Sequence, residues 1–246
     1  MNAAPRSDPA ARGRLRPCAS KHGLHPWNAL GFALTLLLTV APCTVFAGAQ
    51  QYEPLSASVR TALSAAISNT QPPRVNFETS QERIAYLEWL AEMSARLKSK
   101  EPQFIVRRDV LETVYYEAKR AGLEPALVLG LIQVESNFRK HAVSQAGARG
   151  LTQVMPFWVD LIGDGDASKL FNLRVNIRFG CVILRYYLDM EQGSLYRALG
   201  RYNGSLGQAD YPNLVLAAWK KWEYTPQLVA AVPKPVPLPG AAGGIR

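Results

Sequence analysis

The chain has 246 residues, 48% hydrophobic and 19% charged, enough apolar material for one domain with a substantial core and too much for a disordered polyelectrolyte. Three cysteines, Cys18, Cys43 and Cys181, are too few for a disulfide-stapled miniature fold. The formal net charge is +9, or +5 without residues 1–47, which suits an anionic envelope surface, and the basic residues are scattered along helical segments without an aromatic-basic stripe, which argues against a nucleic-acid face.

At the amino end, Arg6, Arg12, Arg14, Arg16 and Lys21 precede an uncharged, Leu- and Ala-rich run from Trp27 to Val40. Val45, Phe46 and Ala47 then offer small residues at the spacing of a cleavage site. Residues 1–47 therefore read as an export signal cut after Ala47, with Ala49 as second choice, and place the protein in the periplasm or cell envelope. Left uncut, Trp27 to Ala47 approaches the ~20 residues that span a bilayer and would be a single anchor, against which Pro42 counts. Pro42 also spoils the lipidation box that Cys43 would need. Cleavage removes five basic residues and one acidic residue and leaves a balance of +5. It also leaves Cys181 as the one cysteine, set among Phe179, Val182, Ile183 and Leu184 as a buried, inert thiol.

Residues 48–103 read as a helical extension. Gln50 to Arg74 is Ala- and Ser-rich, with a short helix and then a loop at Gln71, Pro72 and Pro73. Thr79 and Glu82 have capping-box spacing ahead of a helix with Ile84, Leu87, Leu90, Met93 and Leu97 as its apolar positions. After Pro102 an amphipathic helix from Arg108 to Ala121 turns Val110, Val114 and Ala118 inward and stops at Gly122. Pro125 suits the first turn of the next helix, an apolar run to Val134 that is too hydrophobic for a surface helix. Glu135 stands at its end. Lost water and the negative end of the helix dipole both disfavour a charged carboxylate there. Glu135 is thus expected to hold its proton near neutral pH, as general-acid chemistry on an acetal oxygen requires. The competing reading is a glutamate that turns to solvent where the helix stops.

Further along, Asn172 is placed to cap a helix to about Met190, with Ile177, Cys181, Leu184 and Leu188 inward. Another helix begins at Ser194 and runs to Tyr202, and Pro212 to Trp222 makes the last. No stretch alternates with a period of two, so the fold class is all-α. The tail, residues 225–246, carries Pro226, Pro233, Pro235, Pro237 and Pro239 and reads as extended or disordered.

Between Ser144 and Pro156, Gly147, Ala148 and Gly150 crowd around Arg149, which implies a tight backbone turn against a neighbour or a ligand. Gln153 offers an amide donor and a carbonyl acceptor, suited either to a sugar acetamido group or to closing the turn itself. Asp160, Asp164 and Asp166 lack the spacing and terminal Glu of a calcium loop and read as a solvated acidic turn. His22, His25 and His141 make no convincing metal site, since two would leave with the signal, and no metal or cofactor is expected.

Four blocks occur in order over about residues 104–222: Glu135-Ser136-Asn137-Phe138; Ser144, Gly147, Ala148, Gly150, Leu151, Gln153, Met155 and Pro156; Asn172, Asn176, Ile177, Gly180, Leu184, Tyr187 and Leu188; and Ala198, Tyr202, Asn203 and Gly204. Together they resemble the catalytic domain of the soluble lytic transglycosylases, a lysozyme-like family related to goose-type lysozymes. The resemblance implies a lysozyme-like multi-helix domain over residues 104–224. It implies cleavage of the β-1,4 bond between N-acetylmuramic acid and N-acetylglucosamine in peptidoglycan, with a 1,6-anhydromuramoyl end as product. It makes Glu135 the catalytic acid and then base, acting without a second carboxylate. Tyr202 would stand near the acid, donating to it or to the substrate acetamido group, unless its hydroxyl is satisfied locally. Ser144, Gln153 and Asn203 are candidates for holding substrate polar groups. Thr152, where the family usually has Met, and Leu199-Gly200-Arg201 depart from the pattern and are read as changes in the groove lining. A muramidase that uses water on the same bond, and a peptidoglycan-binding or assembly module without turnover, are the alternatives. The expected partners are glycan strands and an envelope or secretion assembly, with no nucleic acid, and a membrane only if the signal segment stays uncut.

Overall fold

The computed structural model describes residues 50–68 and 75–225. The export segment, the Gln71 to Pro73 loop and the Pro-rich tail beyond Thr225 lie outside the described residues. Eight α-helices are described: α1 (Ala57–Ser68), α2 (Ser80–Leu97), α3 (Phe104–Arg120), α4 (Pro125–Ser136), α5 (Phe157–Ile162), α6 (Leu173–Met190), α7 (Leu195–Asn203) and α8 (Asp210–Trp222). A 3₁₀ turn, Ala167–Phe171, links α5 to α6. Among the described residues β pairing is confined to two isolated antiparallel bridges, Val143 with Arg149 and Arg149 with Val154, so the domain is all-α. No described helix is long and apolar enough to cross a membrane.

The helix starts follow from their caps. Thr79 accepts the Glu82 amide at 3.1 Å, while the Glu82 carboxylate reaches one residue further back than a standard capping box, to the Glu78 amide. Asn172 accepts the amides of Arg174 and Val175 and satisfies two otherwise orphaned donors of α6. Two starts sequence placed late: α3 begins at Phe104 rather than Arg108, and α8 at Asp210 rather than Pro212. The inward face of α2 also differs from the expected one. Ile84 and Leu87 are exposed, and Tyr86, Trp89, Met93 and Leu97 are buried. The aliphatic spacing holds from Leu90 through Met93 to Leu97 but fails in the first turns, where Tyr86 and Trp89 take the inward positions, bury more apolar area and pack on Tyr115 of α3 with ring centroids 4.7 and 4.9 Å away.

Helix α4 is the axis of the core. Leu129, Leu131 and Ile132 are fully enclosed, each contributing roughly 2 kcal/mol of gross burial energy. Gly130 lets α8 approach closely: a Cβ there would stand 2.6 Å from the Trp219 backbone nitrogen, so any larger residue would push α8 away. That crossing matters to function because the first turn of α8 carries Tyr211, which reaches the end of α4.

Candidate active site

Glu135 is 4% exposed at the C-terminal turn of α4. The backbone reverses immediately afterwards, with Asn137 and Phe138 at φ of 50° and 65°. Phe138 is left buried against Trp222 at 5.4 Å, so the segment after Glu135 turns back into the fold. Ser136 donates its hydroxyl to the Leu151 carbonyl at 2.7 Å and ties the end of α4 to the Gly-rich segment.

The carboxyl of Glu135 has one partner. The Tyr211 hydroxyl donates to Oε1, whereas Oε2 has no hydrogen-bond partner among the described residues. Burial pushes the Glu135 pKa up to about 8, against the opposing pull of the Tyr211 hydrogen bond, which favours the charged form. Desolvation wins because no cation neutralises the group. The Tyr211 phenol is held well above its ordinary value by burial and by the neighbouring carboxyl, so it remains a donor at any ordinary pH.

The Gly-rich segment forms a compact double turn beside α6. Gly147 and Gly150 have φ of 88° and 78°, and a Cβ on Gly150 would meet Asn176 Nδ2 at 2.4 Å and the Leu170 carbonyl at 2.5 Å. Positive φ and close approach therefore both require glycine at position 150. Asn176 accepts the Thr152 amide at 2.8 Å and donates to the Arg149 carbonyl at 2.8 Å, and the Thr152 hydroxyl bonds to Asn176 at 3.0 Å. Thr152 is thus fully buried against Gly180 and Asn176, not part of a groove lining. Leu199 is equally buried, and Arg201 is paired with Glu191 and Glu53.

The other expected site residues divide. Burial, and after it the neighbouring Glu135 carboxyl, hold the Tyr202 phenol well above its ordinary value, yet its hydroxyl donates to the Thr152 carbonyl at 2.7 Å, which is the locally satisfied alternative. Gln153 is 1% exposed at a φ of 48°, and its amide nitrogen donates to the carbonyls of Gly150 at 2.8 Å and Ala142 at 3.2 Å. Its side-chain nitrogen therefore closes the turn. Ser144 is half-buried and accepts the Ala148 amide at 3.1 Å. Asn203 donates Nδ2 to Ser205 at 3.1 Å, and its Oδ1 is buried without a partner among the described residues. Asp164 pairs with Lys169, and Asp166 accepts from Ser168, as in a solvated turn. No group of three metal-binding side chains occurs among the described residues. Cys181 is buried, and that burial pushes its thiol up, away from reactivity.

Two residues escaped the sequence. Tyr211 sits before Pro212 at a helix start, where periodicity marks only a core position. Gln50 lies in a segment without motif, but its side chain bridges the site turn, accepting from the Met155 amide at 3.2 Å and donating to the Gln153 carbonyl at 3.5 Å.

Comparison with known proteins finds matches over the same stretch of the chain. The transglycosylase SLT domain family matches residues 112–213, which include Glu135, the Gly-rich turn, Tyr202 and Tyr211. A membrane-bound lytic murein transglycosylase C from Actinobacillus pleuropneumoniae is 40% identical over 115 residues, covering 41% of this chain and 32% of the relative. The corresponding protein of Haemophilus ducreyi is 49% identical over 115 residues, covering 41% and 31%. A transglycosylase of Enterobacteria phage PRD1 is 34% identical over 100 residues, covering 41% and 36%. The chain thus spans about a third of the length of the curated relatives it matches. With the all-helical domain and the ordered motifs, these matches support an SLT-type transglycosylase domain over residues 112–213.

Proposed function

We propose that this domain cleaves the β-1,4 bond between N-acetylmuramic acid and N-acetylglucosamine in peptidoglycan by lytic transglycosylation, in the cell envelope. The observation that carries the reading is a buried carboxyl, its pKa pushed up to about 8 by desolvation, with one oxygen, Glu135 Oε2, unpartnered among the described residues and the other held by a tyrosine donor. Glu135 gives its proton to the bridging oxygen as the bond from the anomeric carbon to that oxygen breaks. The substrate's acetamido oxygen supports the positive charge that develops at the carbon. The muramoyl 6-hydroxyl then bonds to the same carbon and returns its proton to the Glu135 carboxylate. Acid and base are the same group, water is not consumed, and the product is a 1,6-anhydromuramoyl end.

A second carboxylate is unnecessary on this route, which fits a site whose carboxyl has no acidic neighbour among its hydrogen-bond partners. Tyr211 holds Oε1 and orients the acid, Asn203 offers Oδ1 to a substrate donor, and Ser144 and Gln153 shape the turn beside it. The names of the relatives support both the substrate and an envelope location.

The test is digestion of isolated sacculi by the purified chain and by Glu135→Gln, with product masses. Anhydro-muropeptides, each one water lighter than hydrolytic products, are expected from the wild type and not from the variant. Hydrolytic masses would reassign the protein as a muramidase. Equal binding with no turnover by either form would make it a binding module.

A further inference from the structure

At the start of α4, the helix that carries Glu135 at its other end, residues of α2, α3, α4 and the end of α8 line a groove of about 400 Å³. Its walls include Tyr86, Trp89, Tyr115 and Tyr224, and its rim includes Glu124 and Glu223. The last described residue, Thr225, also lines it. Twenty-one residues follow, 226–246, among them Val232-Pro233-Lys234-Pro235-Val236-Pro237-Leu238-Pro239.

We propose that this groove is the docking site of the chain's own Pro-rich segment, Pro233 to Pro239. Three observations converge. Proline at every second position favours the extended polyproline II conformation, which loses little entropy on binding and is recognised by aromatic-lined grooves. The segment needs no search: Pro226 to Val232 separates it from Thr225, and seven residues reach up to roughly 24 Å, ample to turn back into a groove that begins at Thr225. Charge agrees as well. Lys234 is the cation of the segment, and the rim offers the exposed carboxylates of Glu124 and Glu223, while the cations beside the groove, Lys119 and Arg96, stand over the Tyr115 and Tyr224 rings at 5.9 and 6.0 Å. Docking would cover the Tyr224 end of α8, whose Trp222 donates to Gln133 of the acid-bearing helix at 2.9 Å.

The test places a photo-crosslinking amino acid at Leu238 in the full chain and maps the crosslinked peptides by mass spectrometry at low protein concentration. Crosslinks to the α2 peptide containing Tyr86 and Trp89, or to the α3 peptide containing Tyr115, are expected within one chain. Crosslinks confined to Trp222, which sequence proximity alone would give, would overturn the docking. Glu124→Lys with Glu223→Lys, both on exposed positions, should cut the α2 and α3 crosslinks roughly fivefold, the effect of losing about 1 kcal/mol of rim attraction. Replacing Pro235 and Pro237 by Ala should weaken them too. Crosslinks that join two copies, that capture a different protein, or that scatter evenly over the domain would each overturn the proposal.

Discussion

Two glutamates are buried in this domain, and their surroundings could hardly differ more. Glu117 of α3, 1% exposed, lies between Arg178 at 2.8 Å and Arg120 at 2.9 Å, and those arginines also take the Ile67 and Ala66 carbonyls at the end of α1. Glu135 has a tyrosine and, among the described residues, no cationic hydrogen-bond partner. Burial with guanidinium partners builds a structural clamp. Burial without them leaves a carboxyl that keeps its proton to about pH 8 and can give it to a substrate.

The sharpest way to break this contrast is to neutralise each carboxyl. Glu135→Gln should lower turnover on sacculi by about 10³-fold, the scale of losing a general acid, and leave the fold intact. Its stability should betray the displaced proton equilibrium. The folded pKa of Glu135 lies above the unfolded value, so the native protein gains nothing from deprotonation until about pH 8. Wild type and variant should therefore be closest in stability at acid pH. Between the ordinary carboxylate range and pH 8 the wild type should lose about 1.4 kcal/mol per pH unit relative to the variant, measured by urea unfolding. A constant difference across that range would show a carboxyl that titrates as if in water. Glu117→Gln should do the opposite, costing about 3 to 5 kcal/mol because Arg178 is left buried beside a neutral amide, with turnover per folded molecule retained.

Tyr211→Phe gives a smaller effect and separates the two tyrosines. Its hydroxyl favours the ionised acid, so its loss should push Glu135 further up and move the alkaline limb of the pH–activity profile to higher pH. Tyr202→Phe removes a hydroxyl that holds the Thr152 carbonyl, and its effect should fall on stability instead. If both variants moved the limb equally, Tyr211 would have no special hold on the acid.

What could be read from sequence was what local chemistry dictates. The apolar run of α4 marked a buried helix, Pro125 and Asn172 marked helix starts, and glycines at 147 and 150 marked a strained turn. The helical class followed from the absence of alternation. Pairings between distant segments could not be read. Nothing in the residues around Tyr211 says that α8 crosses α4 at Gly130, and only that crossing brings the phenol to Glu135. The same limit explains Gln153, whose amide was equally suited to a sugar or to two carbonyls until the turn's path was known. Thr152 was misread because position in a motif does not reveal which side of the backbone is lined by solvent.

Gln50 carries the smallest predicted effect and tests whether the extension belongs to the site. The Met155 amide and the Gln153 carbonyl sit on the turn that Ser136 ties to the end of α4, and Gln50 is the partner that spans them from more than a hundred residues away. Removing it leaves a backbone donor without its mate beside a buried turn, a loss of roughly 1 kcal/mol. Gln50→Ala should therefore lower the unfolding midpoint slightly. The informative measurement is kinetic: if the turn shapes the glycan-binding surface, KM for soluble muroglycan should rise several-fold while kcat stays close to wild type, since Glu135 and Tyr211 are untouched. Equal falls in kcat and kcat/KM would instead mean that the turn acts on the acid itself, through the Ser136 bond, and the boundary between scaffold and site would have to be redrawn to include residues 50–55.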